Sequence, residues 1–386
     1  MIVVIADDLS GAAELAGVAR GAGLTAEVQT DFNPATEAAV VAVDTNTRTI
    51  PEAEAVARVT DIAARVAAHR PDWIYKKTDS VLRGHVVAEC RAIARATGRK
   101  RVALIPANPG RQRVIRDGRY WIGTTPLDQS PFADDPQWPA RSARVLELLR
   151  GDSTDLHSLR PHDILAVDGV SIPDVWEPLH LRDRARQIDD QTLPAGAMEF
   201  FSALLHRTPI SPQPSPPMTA RSGLSLFACG SHAAWSGSRL RDCQNHAIPV
   251  VPMPRRIFAD DHQSTELDRW ATEVVHALAI TGRAMVAVGG EKIVGMPPGR
   301  LESRLADVVR RVIQQTTIGH LFIEGGATAA ALLHACGWRR LRVGTEIAPG
   351  LARLEVVDTP APLLLIKPGS YDWPERVLAG SISADD

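Results

Sequence analysis

Two aspartates, Asp7 and Asp8, follow directly on the apolar run "MIVVIA" and precede Leu-Ser-Gly. Adjacent carboxylates repel each other and give a core nothing, so they read either as a helix cap or as a site for substrate hydroxyls and protons. A second cluster lies in "YKKTDSVLRGH", where Lys76, Lys77, Thr78, Asp79, Ser80 and Arg83 crowd the positions after a short apolar stretch. Alternating charge around hydroxyl side chains suits a polyhydroxylated anion. Carboxylates accept from its hydroxyls, while Lys and Arg hold a carboxylate or phosphate. Arg48, in "DTNTR", adds a planar fork fit for bidentate carboxylate binding. Asn108 and Arg111, in "PANPGR", flank a turn-forming Pro-Gly and read in isolation as a plain turn.

The elements that must position these residues are legible in the hydrophobic pattern. Apolar runs at Ile2–Ala6, Val40–Val43, Trp73–Tyr75 and Val102–Ile105 alternate with alanine-rich segments of helical spacing, such as "PEAEAVARVTDIAARVAAHR". Strands alternating with helices predict a mostly parallel sheet, whose ligands bind beyond the carboxyl ends of the strands. The Asp, Arg, Lys and Asn residues above all follow strand exits, which a parallel sheet gathers on one edge. Between Asp117 and Gly169 the pattern is less regular and suggests a hairpin followed by an excursion over the site.

From Thr208 to Ala220 the sequence "TPISPQPSPPMTA" reads as an extended linker. We therefore expect two α/β domains, each with a mostly parallel sheet flanked by helices. The domains span residues 1–207 and 221–386, joined by the Pro-rich linker 208–220. Beyond the linker, "FACGSH", "AVGGEK" and "FIEGGAT" end apolar runs in glycine, and glycine amides at a helix N-terminus suit an anion. Neither GxxxxGK[ST] nor GxGxxG occurs, which disfavours a P-loop or a dinucleotide fingerprint.

Across 386 residues, 43 basic and 45 acidic side chains nearly cancel, so no nucleic-acid or membrane partner is expected. The scattered Cys90, Cys229, Cys243 and Cys336 form no CxxC pair, and no HExxH or GxSxG is present. A reducing, cytoplasmic setting without structural zinc is the expectation.

Together the motifs resemble the four-carbon acid sugar kinase family, once called a domain of unknown function. "IADDLSGAAELA" is similar to that family's "IADDLTGA.D", and "KKTDSVLRGH" to its "KKTDSTLRGN". "PANPGRQRVIRDGRYWIGTTPLDQSPFADDP" resembles "PAFP..GR...GH.YV.G.PL..T..A.DP". In the second half, "CGSHAAWSGSRLRDCQ" resembles "GSCS..T..Q", and "IEGGATAAALLHACGWRRLRVGTEIAPGL" resembles "GGDTA.AL...LG...L.VG.EI.PG.P". "LLLIKPGSYD" stands where the family closes with "LALKSGNFG".

The resemblance implies an ATP-dependent kinase acting on threonate, erythronate or 3-oxo-tetronate. The sugar acid would bind the N-terminal domain and ATP, with Mg²⁺, the C-terminal domain. By motif position, Asp8, Arg48, Lys77, Thr78, Asp79, Ser80 and Arg83 would contact substrate. As catalytic carboxylates, either Asp8 or Asp79 would position the attacking hydroxyl, the other holding neighbouring hydroxyls or Mg²⁺. Ser231, Gly325, Gly326, Ala327, Thr328 and Gly369 would line the nucleotide. Ala327 replaces the family's acidic residue, although Glu324 precedes the two glycines. Sugar acid and ATP are the expected partners, and a homodimer stays open. Two rival readings also stay open: a related enzyme for another hydroxy acid, and a ligand-binding homologue with impaired transfer.

Overall fold

The computed structural model describes residues 1–135, 137–149, 154–207, 218, 223–230, 239–258, 264–289, 299–345, 347–348, 351–367 and 372–380. The chain divides into two compact units, Met1–Pro214 and Ser215–Asp386. The expected linker lies, apart from Met218, outside the described residues. Among the described residues no helix is long and apolar enough to cross a membrane.

The first unit is built on eight parallel strands. They are β1 (Ile2–Ala6), β2 (Ala26–Gln29), β3 (Val40–Asp44), β4 (Trp73–Lys77), β5 (Arg101–Ile105), β9 (Leu156–Leu159), β10 (Gly169–Pro173) and β11 (Thr192–Gly196). A separate antiparallel sheet comprises β6 (Arg113–Arg116), β7 (Arg119–Ile122) and β8 (Thr125–Pro126). The parallel order is β2-β3-β1-β4-β11-β5-β10-β9. β1 and β3 are buried along their whole length, so they read as unbroken apolar runs. Helices α1 (Leu9–Gly21), α2 (Glu52–Ala68) and α3 (Val86–Ala96) follow β1, β3 and β4 respectively.

After β1 the chain places β2 and β3 on one side and β4 on the other. The strand order thus reverses at β1, the topology that opens a crevice at the carboxyl ends of an α/β sheet. Ala6 is level with Asp44 on β3 and with Lys77 on β4, so the three loops that follow leave the sheet side by side. Lys76 and Lys77 belong to β4 itself, not to the loop after it, as the apolar run Trp73–Tyr75 alone suggested.

The β6–β7 hairpin turns at Asp117-Gly118, both with positive φ (51° and 66°), the backbone that an Asp-Gly pair favours in a two-residue turn. Its Tyr120 and Ile115 are fully buried in the core of this unit.

The second unit holds β12 (Leu224–Cys229), β13 (Val250–Pro252), β14 (Arg283–Ala287), β15 (Ile318–Glu324), β16 (Arg340–Val343), β17 (Ala352–Val356) and β18 (Leu363–Lys367). The order is β13-β14-β12-β15-β18-β17-β16, parallel through β18 and antiparallel for the last two pairings. Phe227 and Phe322 stack at 4.3 Å in its core, with Trp373 edge-on to both.

Candidate active site

Asp8 is the N-cap of α1: extended at φ −146°, it accepts the Gly11 N–H at 2.7 Å through Oδ1. The capping reading of the aspartate pair thus holds for Asp8. Asp7 points inward, 4% exposed, whereas 26% of the Asp8 side chain stays open to solvent. Arg48, carried in by the loop after β3, joins them. Its Nε and Nη2 donate to Asp7 at 2.9 and 3.0 Å, and its Nη1 donates to Asp8 at 2.7 Å. The same Nη1 lies 3.8 Å from Asp79 in the loop after β4.

Asp79 is gripped from the other side by Arg83, whose Nε and Nη2 reach its two oxygens at 3.1 and 2.8 Å. The third donor, Nη1, goes to Asp135 at 3.0 Å. Gly84 has φ +91°, and a Cβ there would sit 3.3 Å from Arg48 Cγ, so only glycine passes without pressing on the fork. Lys77, almost fully buried, donates to the Thr78 carbonyl and pairs with Glu14 on α1 at 3.3 Å. Glu14 also takes Arg111 at 3.0 Å, tying in the loop after β5. Lys76 faces away and forms a buried ion pair with Glu89 of α3. Thr78 keeps a buried hydroxyl with no hydrogen-bond partner among the described residues.

The charges separate the carboxylates. Burial alone would raise Asp7, but Arg48, then Lys76 and Lys77, more than offset it and hold its carboxyl below the ordinary range. Burial is likewise outweighed at Asp79, by Arg48 and Arg83, which keep it well below the ordinary value. Asp8 moves the other way. Burial, helped by repulsion from Asp7, exceeds the pull of Arg48 and raises its carboxyl. Asp44, at the end of β3, is pushed up to about 7 by burial and by the neighbouring Asp8 and Asp7. One loop cluster thus holds firmly ionised carboxylates beside ones that readily take a proton, the pattern of an acid–base site.

The sequence-predicted residues Asp8, Arg48, Lys77, Asp79, Ser80 and Arg83 therefore converge, with Thr78 between them. Sequence reasoning missed Glu14, Asp135 and Arg113 as partners of these loops. Arg113 on β6 donates to the Ser80 hydroxyl, and Tyr120 on β7 donates to the Ser80 carbonyl. The signal that marked them was their place in the motifs that resemble those of the kinase family.

In the second unit, β15 ends at buried Glu324, and Gly325 (φ +99°) turns the chain into the helix Gly326–Cys336. The first amides of that helix have no partner within it, as at any helix start. Ala327 is exposed and Thr328 buried, and a Cβ on Gly230 would collide with the Thr328 hydroxyl. Ser231 and Gly369 lie outside the described residues.

Glu324 accepts at Oε2 from Trp373 at 3.0 Å, with Arg239 at 2.9 Å and Lys367 at 3.1 Å, and its Oε1 has no hydrogen-bond partner among the described residues. Two cations already neutralise that carboxylate, and Ala327 supplies none. No group of three or more His, Cys, Asp or Glu among the described residues could hold a metal ion. The turn therefore does not fit a protein-held Mg²⁺.

Two family models cover most of the chain: a sugar-binding N-terminal domain matches residues 2–191, and a nucleotide-binding C-terminal domain matches residues 226–371. The chain belongs to the four-carbon acid sugar kinase family. A D-threonate kinase of Salmonella typhimurium is 25% identical, over 90% of this chain and 89% of its own. A 3-oxo-tetronate kinase of Methylobacterium radiotolerans is 27% identical, over 95% of both chains. The crystal structure of a Haemophilus influenzae protein matches with a TM-score of 0.71 at 16% identity, covering 96% of this chain and 97% of that one, a likeness of fold. As a family member, the protein is an ATP-dependent kinase with the α/β architecture that its sequence predicts.

Proposed function

We propose that the protein transfers the terminal phosphoryl group of ATP to the terminal hydroxyl of a four-carbon sugar acid of the threonate, erythronate or 3-oxo-tetronate type. The first unit holds the acid and the second holds the nucleotide. The observation that carries this reading is the convergence of Asp8, Arg48, Lys77, Asp79 and Arg83 at the strand-order reversal of a sheet in this family.

Phosphoryl transfer asks a protein mainly for alignment and charge compensation. Asp8, raised and partly open, accepts the proton of the attacking hydroxyl. Asp79, held ionised, orients neighbouring hydroxyls together with Thr78 and Ser80. The amides of Gly326, Ala327 and Thr328 and the Thr328 hydroxyl receive the ADP phosphates, and the family motifs assign Ser231 and Gly369 to the nucleotide as well. Among the described residues no side chain is assigned to Mg²⁺; any such ion would come with the nucleotide and would offset charge on its phosphates.

ADP release, screened over four-carbon sugar acids with ATP and Mg²⁺, tests the reading. Turnover with at least one of them is expected. No release with any acid, despite a ligand-induced thermal shift, would turn the reading to a binding homologue.

A further inference from the structure

An anionic substrate needs a cation whose donors are not already occupied. Arg48 directs Nε and Nη2 to Asp7 and Nη1 to Asp8. Arg83 directs Nε and Nη2 to Asp79 and Nη1 to Asp135. Asp135 is itself fixed, since its Oδ1 accepts the N–H groups of Gln137 and Trp138. Lys77 and Arg111 share Glu14. Each of these cations is paired with one of the protein's own carboxylates. A sugar-acid carboxylate arriving at Arg48 or Arg83 must displace one of them and gains only the difference.

Arg113 is different. Among the described residues it pairs with no carboxylate. Its Nη1 donates to the Ser80 hydroxyl, and its guanidinium lies 5.7 Å from the centre of the Phe132 ring. Phe132 also lies under Arg83, at 5.5 Å, which places the two guanidinium groups around one ring. The backbone of Arg113 is pinned in both directions to Asn108, at 2.7 and 3.1 Å. The Ser80 carbonyl is held by the buried Tyr120 hydroxyl. A half-buried, pre-positioned guanidinium whose Nε and Nη2 meet no acceptor among the described residues therefore stands beside a loop hydroxyl that can still give its own proton.

We propose that Arg113, with Ser80, receives the carboxylate of the sugar acid and sets the enzyme's preference for an acid over a neutral polyol. This rests on the kinase reading above. Arg48 and Arg83 then hold the catalytic carboxylates in place and do not bind the substrate's charge.

Steady-state kinetics of the full chain, with a four-carbon sugar acid and with the matching uncharged polyol, test it. Arg113→Gln should raise KM for the acid on the order of 30-fold, the loss of a charge-assisted contact, while kcat changes by only a few-fold. The acid-to-polyol ratio of kcat/KM should fall accordingly, and Arg113→Lys should recover part of it. Asp135→Asn, which frees a donor on Arg83, should not lower KM for the acid.

A wild-type KM in Arg113→Gln, an equal loss with acid and polyol, or a lower KM in Asp135→Asn would each overturn the proposal. A loss confined to kcat would overturn it too, pointing to the transferred phosphoryl group instead. If Arg113→Gln loses its wild-type melting transition, the test passes to Arg113→Lys, where an unchanged KM for the acid overturns the proposal. Absence of ADP release with any acid in the wild type sinks the kinase reading instead, so the two failures are distinguishable.

Discussion

Arg48→Met isolates the largest charge contact of the site. The arginine makes three charge-assisted hydrogen bonds, two to Asp7 and one to Asp8, from a side chain only 16% exposed, and the Asp7 side chain is only 5% exposed. Removing one partner of such a buried pair costs about 3–5 kcal/mol, because the other is left charged and unpaired. Lys76 and Lys77 still attract Asp7, and Asp8 reaches solvent, so the lower end, about 3 kcal/mol, is the expected loss near neutral pH.

The pH dependence follows from the direction of the shifts. Asp7 and Asp79 are held below their ordinary values, so the stability they contribute is present above about pH 4 and is lost as pH falls through their folded values. Urea unfolding of wild type and variant should therefore show a large gap near neutral pH that narrows steadily in acid. Adding Asp7→Asn to Arg48→Met should cost much less than the separate losses combined, since the two side chains act as a unit. A gap below about 1 kcal/mol, the range of an exposed ion pair, would refute the reasoning. So would a gap that does not change with pH.

Other outcomes follow from the same geometry. Asp44→Asn should leave stability unchanged near pH 4. Above pH 7 it should raise the melting temperature, because the wild-type carboxyl, pushed up to about 7, costs stability as pH climbs from its unfolded value of 3.8; the relief is at most about 4 kcal/mol. Asp8→Asn keeps a capping side chain, so folding and ATP binding should persist while turnover in the ADP-release assay drops by about 10²-fold or more. On the proposed division of roles, Gly230→Ala should weaken nucleotide binding by calorimetry and leave the binding of sugar acid intact, since its Cβ would displace the Thr328 hydroxyl.

The sequence showed its β–α alternation because the central strands are buried on both faces and must be apolar throughout. The charged motifs were equally visible, since they interrupt such runs at their carboxyl ends. Their pairing was not visible. Lys76 and Lys77 look alike in sequence, yet strand alternation sends one to Glu89 and the other to Glu14. Asp135 and Arg113 reach the loop after β4 from 52 and 33 positions away, a distance over which charge patterns say nothing about contact. The glycine turn after β15 was legible, but the neutralisation of Glu324 by Arg239 and Lys367 comes from two other segments and has no local mark.

The strand order of the first unit also bears on when the site can come into being. β4, which launches the Thr78–Arg83 loop, is bordered on its outer side by β11, the last strand of the unit to be synthesised. The Thr78 amide donates to the Gly196 carbonyl at 3.0 Å, and the Tyr75 hydroxyl to the Ala197 carbonyl at 2.7 Å. A ribosome adding roughly 5–20 residues each second leaves β4 half-paired for about ten seconds while the intervening chain emerges. The loop rich in Lys, Asp and Arg leaves the growing chain early, yet it gains its final anchor only with β11. If the first unit holds the sugar acid as proposed, nascent chains halted before β11 should fail to retain it, while chains released just beyond β11 bind.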